Sequence, residues 1–206
     1  ELNLHRNAGD GTKVLGIDCS GFVFTAFATA GLRMQKNRTL KALDVYSWGS
    51  GSYVDPESNG LSCFSRITLS EGESVRAGDV IAKQGHVLMI DEVGMDPFGL
   101  SNAKDRSSCS SLRASGFDFS IIQSSNSKNG IGINRFKASD YFLPGEGMTA
   151  GVESYAVAAC LAKFDKKNHT LKSSDFSILR HSEIPECRDQ RVALTDESCV
   201  QACVQL

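Results

Sequence analysis

The sequence predicts an α+β domain in which an early buried helix packs on an antiparallel sheet. Three features predict it. A capped apolar run lies near residue 20, a series of short apolar segments punctuated by Gly turns follows, and a helical stripe lies beyond residue 150. Residues 1–15 are polar and read as irregular. Asp18 and Ser20 are helix-capping types, and Phe22, Val23, Phe24, Ala26, Phe27, Ala28 and Ala30 follow before Gly31. This predicts a helix from about Cys19 to Ala30. Leu40, Leu43, Val45 and Tyr46 predict a short second helix over Thr39–Trp48, and residues 49–60 read as a loop.

The turn Ala77-Gly78-Asp79 leads into a strand, Val80-Ile81-Ala82. Gln84-Gly85 turns the chain into a second strand, His86–Ile90. Residues 96–116 form a Ser-rich insertion. Strands are expected at Phe117–Gln123 and Ile131–Phe136, with a turn over Ser124–Gly130. After Pro144-Gly145 the composition shifts. Val152, Tyr155, Ala156, Ala159, Cys160 and Phe164 form a helical stripe, and the rest reads as polar and disulfide-held. The expected division is a main domain over 1–145, with a helical, disulfide-rich extension over 146–206 packed on or beside it.

At 206 residues and 41% hydrophobic composition, the chain is long enough for one ordinary domain. A net charge of −2 excludes the basic face of a nucleic-acid binder. No apolar run is long enough to span a bilayer. The chain opens on Glu1, which reads as a processed product whose leader has been removed. No phosphate loop or metal-ligand cluster implies a cofactor, and no Cys-x-x-Cys pair implies zinc.

The seven cysteines are Cys19, Cys63, Cys109, Cys160, Cys187, Cys199 and Cys203. Setting Cys19 aside leaves six, which fits a disulfide framework with one odd thiol. The alternative is a set of reduced, buried cysteines. Six cysteines allow about 15 pairings. The expected set is Cys63–Cys109 within the main domain and pairs among the last four.

Cys19 opens the first helix, where backbone N–H groups favour negative charge, so its pKa is expected to fall toward the thiolate. A thiol nucleophile needs a base and a group to orient that base. His86 opens a strand after a Gly turn and is the candidate base, although such a histidine is more often structural. His5, His169 and His181 lie in polar surroundings and read as surface residues. Trp48, Tyr46 and Tyr53 either line a cleft or simply pack.

Taken in order, Asp18-Cys19-Ser20-Gly21-Phe22-Val23, Ala77-Gly78-Asp79-Val80-Ile81 and Gly85-His86-Val87-Leu88-Met89-Ile90 resemble the NlpC/P60 cysteine peptidases. The resemblance covers about residues 14–143. It implies a papain-like fold and a Cys19–His86 pair. Gln123, in Ile121-Ile122-Gln123-Ser124-Ser125, takes the place of the family's third polar residue. A Gln carbonyl can accept an imidazole N–H; the alternative is that it satisfies strand-edge groups. Asp18 and Ser20 either cap the helix or help bind substrate. Asn37-Arg38-Thr39 is faintly similar to a turn of the family.

The segment before Asp18 lacks the family's Tyr-x-Trp-Gly-Gly-like stretch. The His86 strand lacks its Gly and Tyr, and the insertion and tail are additional. These departures bear on specificity and leave the Cys–His pair intact. The resemblance implies hydrolysis of bacterial wall stem peptides between D-glutamate and a diamino acid, by a periplasmic or secreted enzyme; the sequence does not encode an oligomeric state, and a monomer is the expectation. The alternatives are an amidase acting between muramic acid and L-alanine, a non-catalytic wall- or partner-binding module, and acyl transfer.

Overall fold

The computed structural model describes residues 17–125 and 132–189. It is an α+β structure built on one six-stranded antiparallel sheet. The helices are α1 (Cys19–Thr29), α2 (Ser50–Val54), α3 (Ala138–Tyr141) and α4 (Thr149–Asp165). The strands are β1 (Phe64–Arg66), β2 (Val80–Lys83), β3 (His86–Val93), β4 (Phe119–Ser125), β5 (Gly132–Lys137) and β6 (Phe176–His181). Their order across the sheet is β1-β6-β2-β3-β4-β5.

Helix α1 forms where expected. Gly85, at φ +90°, closes the two-residue turn between β2 and β3, in a conformation that suits glycine. The second helix is shorter than expected. Only Ala42–Tyr46 winds, as a 3-10 turn, because the Asp44 carboxylate folds back to accept from the Lys41 N–H at 2.9 Å and from Arg38 at 2.9 Å. Helix α2 occupies part of the expected loop. The Ser-rich insertion winds into short 3-10 turns, and β4 begins at Phe119 and runs through Ser124 and Ser125, where a turn was expected.

The larger departure concerns the C-terminal portion. Strand β6 enters the sheet between β1 and β2, pairing Leu179 with both Arg66 and Val80. The chain after residue 145 is therefore not simply an extension lying on or beside a finished sheet. It supplies a central strand. Phe176-Ser177-Ile178-Leu179 is buried along its whole length, so it lacks the alternation that marks a one-sided strand.

Apolar residues alternate between two cores, one on each face of the sheet. Ile81, Leu88, Ile90, Ile121 and Ile178 face α4 and the 96–117 segment. Val80, Ala82, Val87 and Leu179 face α1, α2 and Trp48. Trp48 is buried against Phe24 and carries the Arg38 guanidinium 5.5 Å above its ring, and Tyr53 is fully buried. Tyr46 is 82% exposed. Helix α4 lies so close to β6 that a Cβ on Gly151 would meet the Phe176 ring at 2.4 Å.

The disulfides differ from expectation. Cys63 pairs with Cys187 and Cys109 with Cys160, each at a Cα–Cα distance of 5.5 Å. Cys63–Cys109 is excluded because Cys109 sits in the α4-side core and Cys63 in the α1-side core, on opposite faces of the sheet. Cys199, Cys203 and His5 lie outside the described residues. Cys63–Cys187 closes a separation of 124 residues and straps the chain after β6 to the residue before β1, while backbone hydrogen bonds, such as that from the Arg33 N–H to the Cys187 carbonyl at 2.8 Å, tie it to residues 31–37. Cross-links spanning such long loops contribute about 4–5 kcal/mol in the chain-entropy picture.

His181 is not a surface residue. It is half-buried between Phe27 and Phe64, and its Nε2 lies 2.9 Å from the Arg33 carbonyl. Burial pushes its pKa down. His169 is also partly covered, and its backbone pairs with Leu69 in an isolated bridge. Among the described residues, no helix is long and apolar enough to cross a membrane.

Asp79 is 1% exposed and accepts from Nε and Nη2 of Arg180 on β6, each at 2.8 Å, and from the Arg76 N–H at 2.8 Å. Burial raises its pKa while Arg180 pulls it down, with a net rise. Arg180→Leu would leave this carboxylate buried and unpaired. The expected loss is about 3 kcal/mol in urea unfolding, partly recovered in the Asp79→Asn/Arg180→Leu double variant. Unchanged stability in the single variant would refute the pairing as a clamp on β6. Peptide mapping without reduction should recover the 63–187 and 109–160 cross-linked fragments and no 63–109 fragment.

Candidate active site

The site begins with the cap of α1. The Asp18 carboxylate accepts from the Gly21 N–H at 2.6 Å and from the Ser20 hydroxyl at 3.0 Å, so Asp18 caps α1 and Ser20, within the first turn, holds that carboxylate. Gly21 is required by space. A Cβ there would meet Ile17 at 2.9 Å and the Asp18 carboxylate at 3.1 Å, displacing the cap. Ser124 at the end of β4 donates to the Ile17 carbonyl at 2.5 Å, which ties the entry of α1 to the sheet. These contacts hold the Cys19 thiol at a defined place over the mouth of β3 and β4.

That mouth is open. The β3–β4 ladder runs from Val93↔Phe119 to Met89↔Ile122 and pairs no residue of β3 before Met89. Beyond Met89 the N–H of Val87 is directed at the Cys19 sulfur instead. Cys19 is the free cysteine among the described residues, and it is half-buried. Its pKa is raised, contrary to the expected lowering. Burial is the main cause and the neighbouring Asp18 carboxylate adds to it, outweighing the N–H groups of Val87, Ser20 and Cys19 itself. At neutral pH the resting group is therefore the thiol, and it needs a base to become a nucleophile.

His86 and Gln123 bridge the open mouth from its two sides. His86 Nε2 is hydrogen-bonded to the Gln123 side-chain carbonyl. Because that partner is an acceptor, Nε2 carries the proton and Nδ1 presents its lone pair. Gln123 is only 1% exposed, so its carbonyl is desolvated and firmly placed. Among the described residues, Cys19 and His86 share no direct hydrogen bond. The thiol instead contacts the backbone of the adjacent Val87. Catalytic contacts are commonly loose before substrate arrives.

Three further residues shape the site through tertiary packing; of these, Tyr53 is expected from the sequence to line a cleft or pack, whereas the sequence assigns no role at the site to Tyr141 or Ser124. Tyr141 on α3 donates its hydroxyl to the same Gln123 oxygen at 2.8 Å. Ser124 anchors Ile17. Tyr53 lies near enough to feel the charges of both Asp18 and Cys19, and its buried hydroxyl has no hydrogen-bond partner. Beside His86 a pocket of about 370 Å³ opens, lined by Lys83, Asp140, Tyr141, Glu146 and Met148 among others. Much of its wall comes from residues 140–149, and the Lys83 ammonium donates across it to the Gly147 carbonyl at 2.5 Å.

At one mouth of the sheet a thiol lies against the Val87 backbone, and an imidazole is hydrogen-bonded to a carboxamide. Among the described residues, no group of three or more His, Cys, Asp or Glu side chains is placed to hold a metal ion. No protein-family model, curated protein or solved structure matches this chain.

The raised thiol pKa gives a test of the base. Iodoacetamide should alkylate Cys19 at neutral pH in the wild-type protein, because the imidazole takes the thiol proton. In His86→Ala the reaction should be confined to pH values above the ordinary thiol range of about 8.5. Identical pH profiles, followed by mass spectrometry of the Cys19 peptide, would exclude His86 as the base.

Proposed function

We propose that the protein is a cysteine peptidase of the papain-like NlpC/P60 type that cleaves bacterial wall stem peptides between D-glutamate and a diamino acid. The observation that carries this is the His86–Gln123 hydrogen bond at the open mouth of β3 and β4, with the Cys19 thiol held against Val87 at the same mouth. The order of the three sequence motifs supports it further.

In this mechanism the Cys19 sulfur attacks the peptide carbonyl carbon, and its proton passes to His86 Nδ1. A C–S bond forms, and the carbonyl oxygen becomes an oxyanion facing N–H groups at the start of α1. One well-placed donor of this kind contributes about 3–4 kcal/mol to the transition state. The tetrahedral intermediate collapses, the C–N bond breaks, and His86 delivers its proton to the leaving amine. Water then attacks the thioester carbon and gives a proton to Nδ1. The C–S bond breaks, and that proton returns to sulfur, restoring the thiol.

Gln123 keeps Nε2–H in place throughout, though a neutral amide stabilises the imidazolium less than a carboxylate would. In this reading Asp18, held by Ser20 and Gly21, receives a substrate amine beside the nucleophile. The pocket beside His86 offers room for part of the substrate. Two disulfides support work in an oxidising compartment, periplasmic or extracellular.

A second reading, a non-catalytic wall-binding module, draws on the raised thiol pKa and the missing thiol–imidazole hydrogen bond. Digestion of purified peptidoglycan, read by mass spectrometry with Cys19→Ala alongside, separates the readings. Fragments ending in D-glutamate that need Cys19 are expected. Fragments cut at the muramic acid–L-alanine bond would make the enzyme an amidase. Wall binding without cleavage, unchanged in Cys19→Ala, would replace the peptidase reading with the binding one.

A further inference from the structure

We propose that Tyr141 is a positioning residue that fixes which end of the Gln123 amide faces His86, and so sets the histidine tautomer. This rests on the reading of Cys19 and His86 as nucleophile and base.

A carboxamide is a degenerate orienting group. Its oxygen and its NH2 have nearly the same shape, yet they impose opposite tautomers. With the oxygen toward His86, Nε2 is protonated and Nδ1 is free to take the thiol proton. With the NH2 toward His86, Nε2 becomes the acceptor, Nδ1 carries the proton, and the imidazole cannot act as base. Burial alone does not choose between these two arrangements.

Tyr141 supplies a second donor aimed at the same oxygen. Its hydroxyl lies 2.8 Å from Gln123 Oε1, which therefore receives both the tyrosine O–H and the imidazole N–H. The ring is held edge-on by Phe142 at 5.1 Å and leans on Phe136 at 5.5 Å, so the hydroxyl needs no reorganisation to reach its partner. Burial also pushes the phenol pKa up to about 12, and the group remains a donor across the neutral and mildly alkaline range. The flipped amide would turn its NH2 toward this hydroxyl and force its proton to find another acceptor. Tyr141 also lines the pocket beside His86, so a ligand seated there touches the residue that sets the tautomer.

The test reads the tautomer directly. The chain has four histidines, and His86 is assigned in the 15N-histidine-labelled full-length protein by comparison with His86→Gln. The wild-type protein should show His86 protonated at Nε2. In Tyr141→Phe, which keeps the ring and removes only the hydroxyl, the Nδ1–H form should appear, and alkylation of Cys19 at neutral pH should fall about tenfold, the worth of one ordinary hydrogen bond. In a Gln123→Glu background the same substitution should change neither readout, because both carboxylate oxygens accept.

An unshifted tautomer in Tyr141→Phe, or an equal effect in both backgrounds, would overturn the proposal. Should Tyr141→Phe fail to fold, a polyfluorinated tyrosine at position 141 serves instead. Its more acidic phenol becomes an acceptor as pH rises, and the His86 tautomer should shift with that titration; a tautomer unmoved by it overturns the proposal. Release of wall fragments bears only on the peptidase reading, since the tautomer is observed without substrate.

Discussion

The sheet depends on one strand that arrives late in the chain. Strand β6 is hydrogen-bonded to β1 on one side and to β2 on the other, so without it the sheet falls into a detached three-residue strand and a remnant that begins at β2. Its buried residues contribute to both cores, and Ser177 on it donates to the Tyr53 carbonyl at 2.7 Å beneath α2. The Asp79–Arg180 pair joins β6 to the turn before β2. The hairpin that carries His86 is thus supported from a strand that lies beyond it in sequence.

From that platform the site follows with few additional parts. The separation of β3 from β4 below Met89 provides two things at once, a backbone N–H for the thiol and a gap that the imidazole and carboxamide span. The same burial that orders Gln123 and Tyr141 raises the thiol pKa. A desolvated thiol is a poor nucleophile alone, yet its water-poor surroundings strengthen each hydrogen bond aimed at developing charge. In the proposed mechanism, activation rests on proton transfer rather than on a resting thiolate.

How much of this was legible in the sequence depended on how local its cause is. Helix α1, its cap and the β2–β3 hairpin were readable because capping residues, apolar spacing and Gly85 act within a few positions. His86 and Gln123 were picked out by motif order, and the structure brings their side chains together. Strand β6 was hidden because a two-sided buried strand shows no alternation, and its partners lie about a hundred residues away. The disulfides followed the two faces of the sheet, which no spacing of cysteines encodes. His181 looked superficial because Arg180 and Ser182 flank it, although its ring packs with Phe27 and Phe64. Tyr141 and Ser124 reach the site only through the path of α3 and β4.

The same topology bears on how the chain is built. A polypeptide emerging N-terminus first presents β1 and β2 as open edges until residue 181 has followed, and such edges invite pairing with other chains. The thiols also appear in an order that differs from their pairing. Cys63 and Cys109 are both exposed to oxidant before Cys160 and Cys187 exist, so the kinetically accessible bond joins two residues that belong on opposite faces. Reaching the final set then requires thiol–disulfide exchange, and Cys19, already present from the start, must be kept out of it. Until His86 is in place to take its proton the thiol stays protonated, and a protonated thiol exchanges slowly with any disulfide that passes.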